Sequence, residues 1–168
     1  MDLGDIREYL SYDPEIGVFR WIKRLGTSHF VGEIAGTVRA DGRRIITFRN
    51  RKYRAHRLAW WFMHGEMPSE IDHIHGVAGG DGIANLRLAT RSQNQANVDP
   101  PRTNKSGYKG VCFDEHEQSW KATIGIAGRT KNLGRFKTPE EAARAYDIAA
   151  VELFGEFARP NFRESDLT

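Results

Sequence analysis

Residues 70–97 read EIDHIHGVAGGDGIANLRLATRSQNQAN, and the architecture of the N-terminal half turns on them. Asp72 and His73 are adjacent; Asn85 follows the aspartate by thirteen positions and Asn94 follows it by twenty-two. An acid beside a histidine, with two carboxamides at set distances, can hold one hard cation and one general base at a single point. Phosphodiester hydrolysis needs both. Residues 70–75 and 85–90 have strand character and are joined by the glycine-rich GVAGGDG. Thr90 with Gln93 forms a capping-box pattern for a helix starting at Arg91, which places Asn94 about one turn in. A strand–loop–strand–helix unit of this kind can bring Asp72, His73, Asn85 and Asn94 together. Neighbours on a regular strand point to opposite faces, so Asp72 and His73 in one site require a bulge or a strand end there.

Upstream of this stretch, Asp13-Pro14-Glu15-Ile16-Gly17 is turn chemistry, followed by a strand carrying Phe19 and Trp21. Strands are expected around Ile34 to Val38 and Arg44 to Phe48, separated by the hairpin turn Asp41-Gly42. HRLAWWFMHG reads as a short helix stopping at Gly65, with Trp60, Trp61 and Phe62 assigned to the core. Downstream, VDPPRTNKSG (98–107) cannot continue a helix and buries little, so a linker is placed at 98–105. Beyond it, 108–113, 119–126 and 130–136 alternate as three antiparallel strands. TPEEAARAYDIAAVELFG then forms a helix capped by Thr138, with Pro139 at its first position, two glutamates at its positive end and Gly155 at its stop. Its apolar stripe is Ala142, Ala143, Tyr146, Ala149, Ala150 and Leu153. The class is α+β, and three strands on one helix leave one sheet face open.

Charge and composition narrow the function. The 168 residues suffice for one domain or two small ones. No apolar run approaches the ~20 residues a membrane-spanning helix needs. The polar N-terminus MDLGDIREYL is not a secretory signal, and the single Cys112 excludes an internal disulfide and a multi-cysteine zinc cage. An intracellular, cytoplasmic location is expected. Residues 39–57 hold eight Arg or Lys against one Asp, and 101–137 hold eight against three, whereas 138–168 hold three against seven. Two cationic stretches point to a polyanion partner. The 39–57 run either tracks a phosphate backbone or is an ordinary exposed hairpin. His56, His64 and His75 are read as structural or solvated, and Cys112 as a small strand residue.

Two family resemblances rest on specific residues. AHRLAW (55–60), Gly65, DHI (72–74), Gly76, IANLRLAT (83–90), Asn94 and Asn97 resemble a phage-type HNH endonuclease domain of the homing-endonuclease kind. The resemblance implies the ββα-metal (His-Me finger) fold. It implies one divalent ion, Mg²⁺ or Mn²⁺, on Asp72 and Asn94, with His73 as general base and Asn85 orienting the imidazole. Such relatives usually carry Asp-Asn-Arg before the IxNL segment, where this chain has Gly80-Asp81-Gly82. SGYKGV, SWKATI, LGRF, TPEEAARAYDIAA and NF, within 106–163, resemble the Apetala-two/ethylene-response-factor DNA-binding domain, whose three-stranded sheet enters the major groove. With Trp120, Ala122 and Ile124 facing the helix, alternation sends Lys121 and Thr123 toward DNA. Lys109, Arg129, Lys131 and Arg135 are the further cationic candidates. Cys112, Asp114, Thr130 and Asn132 replace base-reading positions of the plant proteins, so the plant target does not carry over.

The expectation is therefore a phage- or prophage-encoded DNA endonuclease in the host cell. Its nuclease domain covers 1–97, with a catalytic core at about 53–97, and its DNA-binding domain covers 106–163. Double-stranded DNA is the partner, no membrane is involved, and the chain is a monomer or weak dimer that nicks. The alternative is a DNA-binding transcriptional regulator whose nuclease module has decayed.

Overall fold

The first hairpin, β1 (Leu10–Asp13) and β2 (Val18–Trp21), is closed by the turn chemistry read above. The Asp13 carboxylate accepts the backbone N–H of Glu15 at 3.0 Å and of Ile16 at 3.3 Å. This computed structural model describes residue 3 and residues 5–26, 29–100 and 103–162. Next come β3 (Thr37–Val38), β4 (Arg44–Phe48) and β5 (Arg51–Arg54), a sheet in the order β3-β4-β5. The strand expected around 34–38 shortens to two residues, because Ile34 makes only an isolated bridge to Arg20. β5 was not anticipated: Arg49 and Asn50 both take positive φ (47° and 63°), making a two-residue hairpin turn without glycine.

β5 runs directly into α1 (Ala55–His64), which ends at Gly65 in the left-handed conformation. Arg7 closes that end a second way, donating to the Trp61 and Phe62 carbonyls at 3.1 and 3.0 Å. Ile6, Leu10, Phe19, Trp21, Ile46 and Leu58 are the largest fully buried side chains of the core on which α1 packs. Trp60, Trp61 and Phe62 are only partly buried and pack against that core from outside. β6 (Ile71–His73) and β7 (Leu86–Leu88) form the next hairpin, shorter than expected because Ile83–Asn85 is a 3-10 turn. α2 (Arg91–Ala96) follows with both halves of the Thr90/Gln93 capping box in place.

The C-terminal sheet is β8 (Val111–Asp114), β9 (Ser119–Ile126) and β10 (Arg129–Phe136), antiparallel in the order β10-β9-β8. α3 (Pro139–Phe154) contacts all three strands and carries a complete Thr138/Glu141 capping box. Its buried stripe differs from the expected one at a single position. Phe154, 8% exposed, completes the i, i+4 series from Tyr146 and Ala150, while Leu153 lies one residue round the helix at 36%. Close approach to the strands also requires Gly110, where a Cβ would stand 2.1 Å from the Tyr146 ring.

Contacts divide the chain into two units, Met1–Leu88 and Ala89–Thr168. α2 packs on α3 and on the 3-10 turn Gly155–Phe157, and Ala96 shares a buried cluster with Ile124, Tyr146 and Ala150. Ser92 Oγ accepts the Ala127 N–H at 3.2 Å, and the Lys109 ammonium donates to the Ala96 carbonyl. The division thus falls after Leu88, ahead of the 98–105 segment. Residues 101 and 102 of that segment, and position 163 at the end of the expected DNA-binding domain, lie outside the described residues. Among the described residues no helix is long and apolar enough to cross a membrane.

Candidate active site

The hairpin register positions the acid–histidine pair. Asp72 lies opposite Arg87 and His73 opposite Leu86, with no register shift between them, so the two side chains leave opposite faces of β6. His73 is itself the end of the strand, and all three residues of β6 are buried. Asp72 Oδ2 accepts Arg87 Nε at 2.9 Å and Nη2 at 2.8 Å, a two-pronged pairing that only a guanidinium makes. His73 Nε2 lies 2.8 Å from Asp81 Oδ1, and the His56 ring meets the His73 ring edge-on with centroids 4.9 Å apart.

Asn85 acts on the loop. Its Oδ1 accepts the His75 N–H at 2.8 Å, and its Nδ2 donates to the Gly80 carbonyl at 2.8 Å and the Gly76 carbonyl at 3.3 Å. The group found on the His73 imidazole is Asp81. Asn94 sits half-buried in α2, with its backbone N–H on the Thr90 carbonyl, in the unit that begins at Ala89.

The Gly80-Asp81-Gly82 triplet is docked on the β1–β2 turn. Tyr12 donates its hydroxyl to the Asp81 carbonyl at 2.7 Å, and the Ile83 N–H reaches the Pro14 carbonyl at 2.9 Å. The approach is so close that a Cβ on Gly82 would stand 2.6 Å from the Glu15 carbonyl oxygen. Burial first, then the Asp81 and Asp13 charges, push the Tyr12 phenol above its usual range, so it remains a donor.

From sequence His56 reads as structural or solvated and Asp81 only as part of the departing triplet, whereas the structure puts both against His73. His56 lies in the AHRLAW stretch and Asp81 in the departing triplet, but no local spacing ties either to His73. His56 is buried, and its Nδ1 has no hydrogen-bond partner among the described residues. Burial, then the neighbouring His73, lowers its pKa to about 4, with Asp81 pulling the other way. His56, His73 and Asp81 offer ligand atoms all within 4.8 Å of one another, a nitrogen-rich set suited to a borderline ion such as zinc. The Asp72 carboxylate by contrast offers oxygen donors, the type a hard divalent cation prefers. A carboxylate has about four lone-pair sites, so the two Arg87 donors do not exhaust Asp72.

The basic run also has a defined place. Arg51, Lys52, Tyr53, Arg54, Arg57 and Met67 line a cleft of about 480 Å³. Arg51, Lys52 and Arg54 are exposed, whereas Arg43 pairs with Asp41 and Arg49 with Asp5.

On the C-terminal sheet, Ala122 and Ile124 are buried, which turns Lys121 and Thr123 to the open face. Register carries that face across the sheet: Cys112, Lys121 and Arg135 lie in one row, and Thr123 faces Asn132. A bulge between Asn132 and Gly134 re-phases β10 and brings Arg135 onto this face. Arg135 is paired there with Asp114 at 3.1 Å and Glu117 at 2.9 Å. Lys131 opposes Ile124 and Arg129 opposes Ile126, so both stand on the helix side of the sheet, exposed at its end. Lys109 is half-buried and tied to Ala96; burial first, then Arg159, lowers its pKa to about 8.

Comparison with known proteins follows this division of labour. Residues 53–96 match the HNH endonuclease family model and residues 106–156 the AP2 domain model. Protein 3.8 of Escherichia phage T7 is 34% identical over 108 residues, 63% of this chain and 88% of that protein. The chain belongs to the HNH endonuclease family and carries an AP2 domain. An uncharacterized HNH endonuclease of Acanthamoeba polyphaga mimivirus is 37% identical over 119 residues, 69% of this chain and 61% of the viral protein. APETALA2-like protein 2 of Oryza sativa is 42% identical over 66 residues, 39% of this chain but 15% of the plant protein. The chain thus spans about three fifths of the mimiviral relative and a small part of the plant one. The HNH match runs through α2, past the point at which contacts divide the chain.

Proposed function

We propose that this HNH protein is a metal-dependent endonuclease that hydrolyses phosphodiester bonds in double-stranded DNA and holds its substrate with the β8–β10 sheet. One observation supports it above the others: a buried histidine at the end of β6, beside a buried aspartate, with a carboxylate on its Nε2. His73 takes the proton of a water whose oxygen bonds to phosphorus as the P–O3′ bond breaks, and the departing 3′ oxygen takes up a proton from solvent. Asn85 shapes the loop beneath the imidazole, and Arg87 holds the Asp72 carboxylate in one orientation. Asp72 and Asn94 are the residues that would hold one Mg²⁺ or Mn²⁺. Such a cation supplies charge neutralisation at the reacting phosphate. Lys121, Thr123 and Arg135 face DNA from the sheet, with Lys109, Arg129 and Lys131 as candidates beside it.

On this reading, 1–97 is the nuclease module, of the ββα-metal type, 98–105 the linker and 106–163 the DNA-reading module. One centre per chain implies nicking by a monomer or weak dimer inside the host cell, as expected of a homing-type element. The test is relaxation of supercoiled plasmid with Mg²⁺ or Mn²⁺, with EDTA and His73→Ala controls. The wild type is expected to give metal-dependent nicked circles. His73→Ala is expected to lose roughly 10²- to 10⁴-fold in rate while still binding DNA. The Asp72–Arg87 ion pair, which already neutralises the proposed ligand, favours a second reading as a DNA-binding regulator. DNA binding by the wild type without relaxation under either metal would establish that reading instead.

A further inference from the structure

We infer that Asp81 is a positioning residue for His73: its carboxylate takes the proton on Nε2 and so makes Nδ1 the nitrogen that accepts a proton from water. The inference rests on the nuclease reading for its catalytic meaning, but its structural half can be tested alone. A neutral imidazole has one N–H and one lone pair, and which nitrogen carries the proton is set by the partner. An ionised carboxylate only accepts, so the 2.8 Å contact between Nε2 and Asp81 Oδ1 assigns the proton to Nε2. Both side chains are withdrawn from solvent, at 5% and 12% exposure, so little water competes for this contact.

Asp81 is also immobilised from several directions. Its carbonyl accepts the Tyr12 hydroxyl at 2.7 Å. The peptide it forms with Gly82 lies so close to Gly17 that a Cβ there would stand 2.2 Å away. One residue earlier, the Gly80 carbonyl is held by Asn85 Nδ2 at 2.8 Å. The ring it orients is bounded by His56 from α1. The β1–β2 turn, the Asn85-braced loop and α1 therefore hold one imidazole in one plane and one tautomer. An acid orienting a catalytic histidine through the far nitrogen is the arrangement serine hydrolases use. In this chain the triplet that departs from Asp-Asn-Arg supplies it. A carboxamide at 81 can turn either its oxygen or its nitrogen toward Nε2, and so leaves the tautomer open.

The experiment uses the full chain and two readouts. ¹⁵N NMR of the histidine side chains at pH 8, with His73 assigned by comparison with His73→Ala, should show His73 as the Nε2–H tautomer in the wild type. A mixture is expected in Asp81→Ala. Steady-state nicking with saturating Mn²⁺ should show kcat falling on the order of 10²-fold in Asp81→Ala and by less in Asp81→Asn, with KM for plasmid unchanged. Asp81→Asn keeps the side-chain volume and serves if Asp81→Ala does not fold. An Nδ1–H tautomer in the wild type overturns the inference. So does a folded Asp81→Ala or Asp81→Asn protein with wild-type kcat. If the wild type binds DNA without cutting it, the nuclease reading falls, and the tautomer decides alone. Nε2–H in the wild type, lost in Asp81→Ala, then supports the orienting role; persistence of Nε2–H in that variant overturns it.

Discussion

The β6–β7 hairpin and the β8–β10 sheet are both antiparallel and both rich in ionisable groups, yet they treat charge in opposite ways. On and around the hairpin, His56, Asp72, His73 and Asn85 are buried, and three of them have named partners in Asp81, Arg87 and the loop backbone. On the sheet, Lys121 and Thr123 are half-buried, and Arg129, Lys131 and Arg135 are exposed. Burying a charge is costly unless it is paired, and the pairing fixes its geometry. Exposed charges keep their water and their mobility, which suits contact with a phosphate backbone in a salt-dependent way. The difference separates a buried, paired cluster with fixed geometry from an exposed face whose charges stay hydrated.

The hardest way to break the comparison is to remove one side of it. Gly110→Ala drives a methyl group into the Tyr146 ring at a φ of +75°, and should destabilise the C-terminal unit by more than about 3 kcal/mol. Chemical denaturation should then show an early transition absent from the wild type, and plasmid affinity should fall with it. A single unshifted transition would show that the sheet tolerates the change.

A second test asks whether burial on the hairpin side carries its expected cost in acid. His56 has a folded pKa of about 4, below its ordinary 6.5. Above 6.5 neither state binds the proton and stability is full. As pH falls from 6.5 toward 4, the unfolded chain takes the proton and the native one does not, so stability drops by on the order of 1–3 kcal/mol. Urea midpoints measured from pH 7 to 4.5 should fall less steeply in His56→Gln than in the wild type. Parallel slopes would remove His56 from the account.

The smallest expected effect sharpens the sheet side. Lys121→Ala should weaken DNA binding about tenfold and reduce the slope of log K against log salt by about one. Arg135→Ala should do less, because its guanidinium already pairs with Asp114 and Glu117. Equal losses would mean that DNA displaces those carboxylates.

Much of this was legible in the chain because it depends on local chemistry. Gly65 as the stop of α1, the Thr90 and Thr138 capping boxes and the alternation of β9 all follow from neighbours within four residues. The Asp72-His73 pair was visible for the same reason. What was hidden depends on partners far along the chain. Arg87 meets Asp72 only through hairpin register, and Asp81 meets His73 only once the loop is folded onto the β1–β2 turn. The bulge that presents Arg135 has no signal in alternation, since alternation is what it breaks. Lys109 is a DNA-contact candidate by its charge, and its bond to the Ala96 carbonyl at the end of α2 is a second long-range contact that alternation does not announce.

The seating of α2 bears on how such proteins can be recombined. The helix belongs to the HNH match by sequence, yet its packing partners are α3, the Gly155–Phe157 turn, Ala127 and Lys109. A chimera spliced at the prolines would keep the helix and discard those partners. Exchange of reading heads between relatives therefore favours crossovers near residue 89, upstream of the segment that looks most like a natural seam.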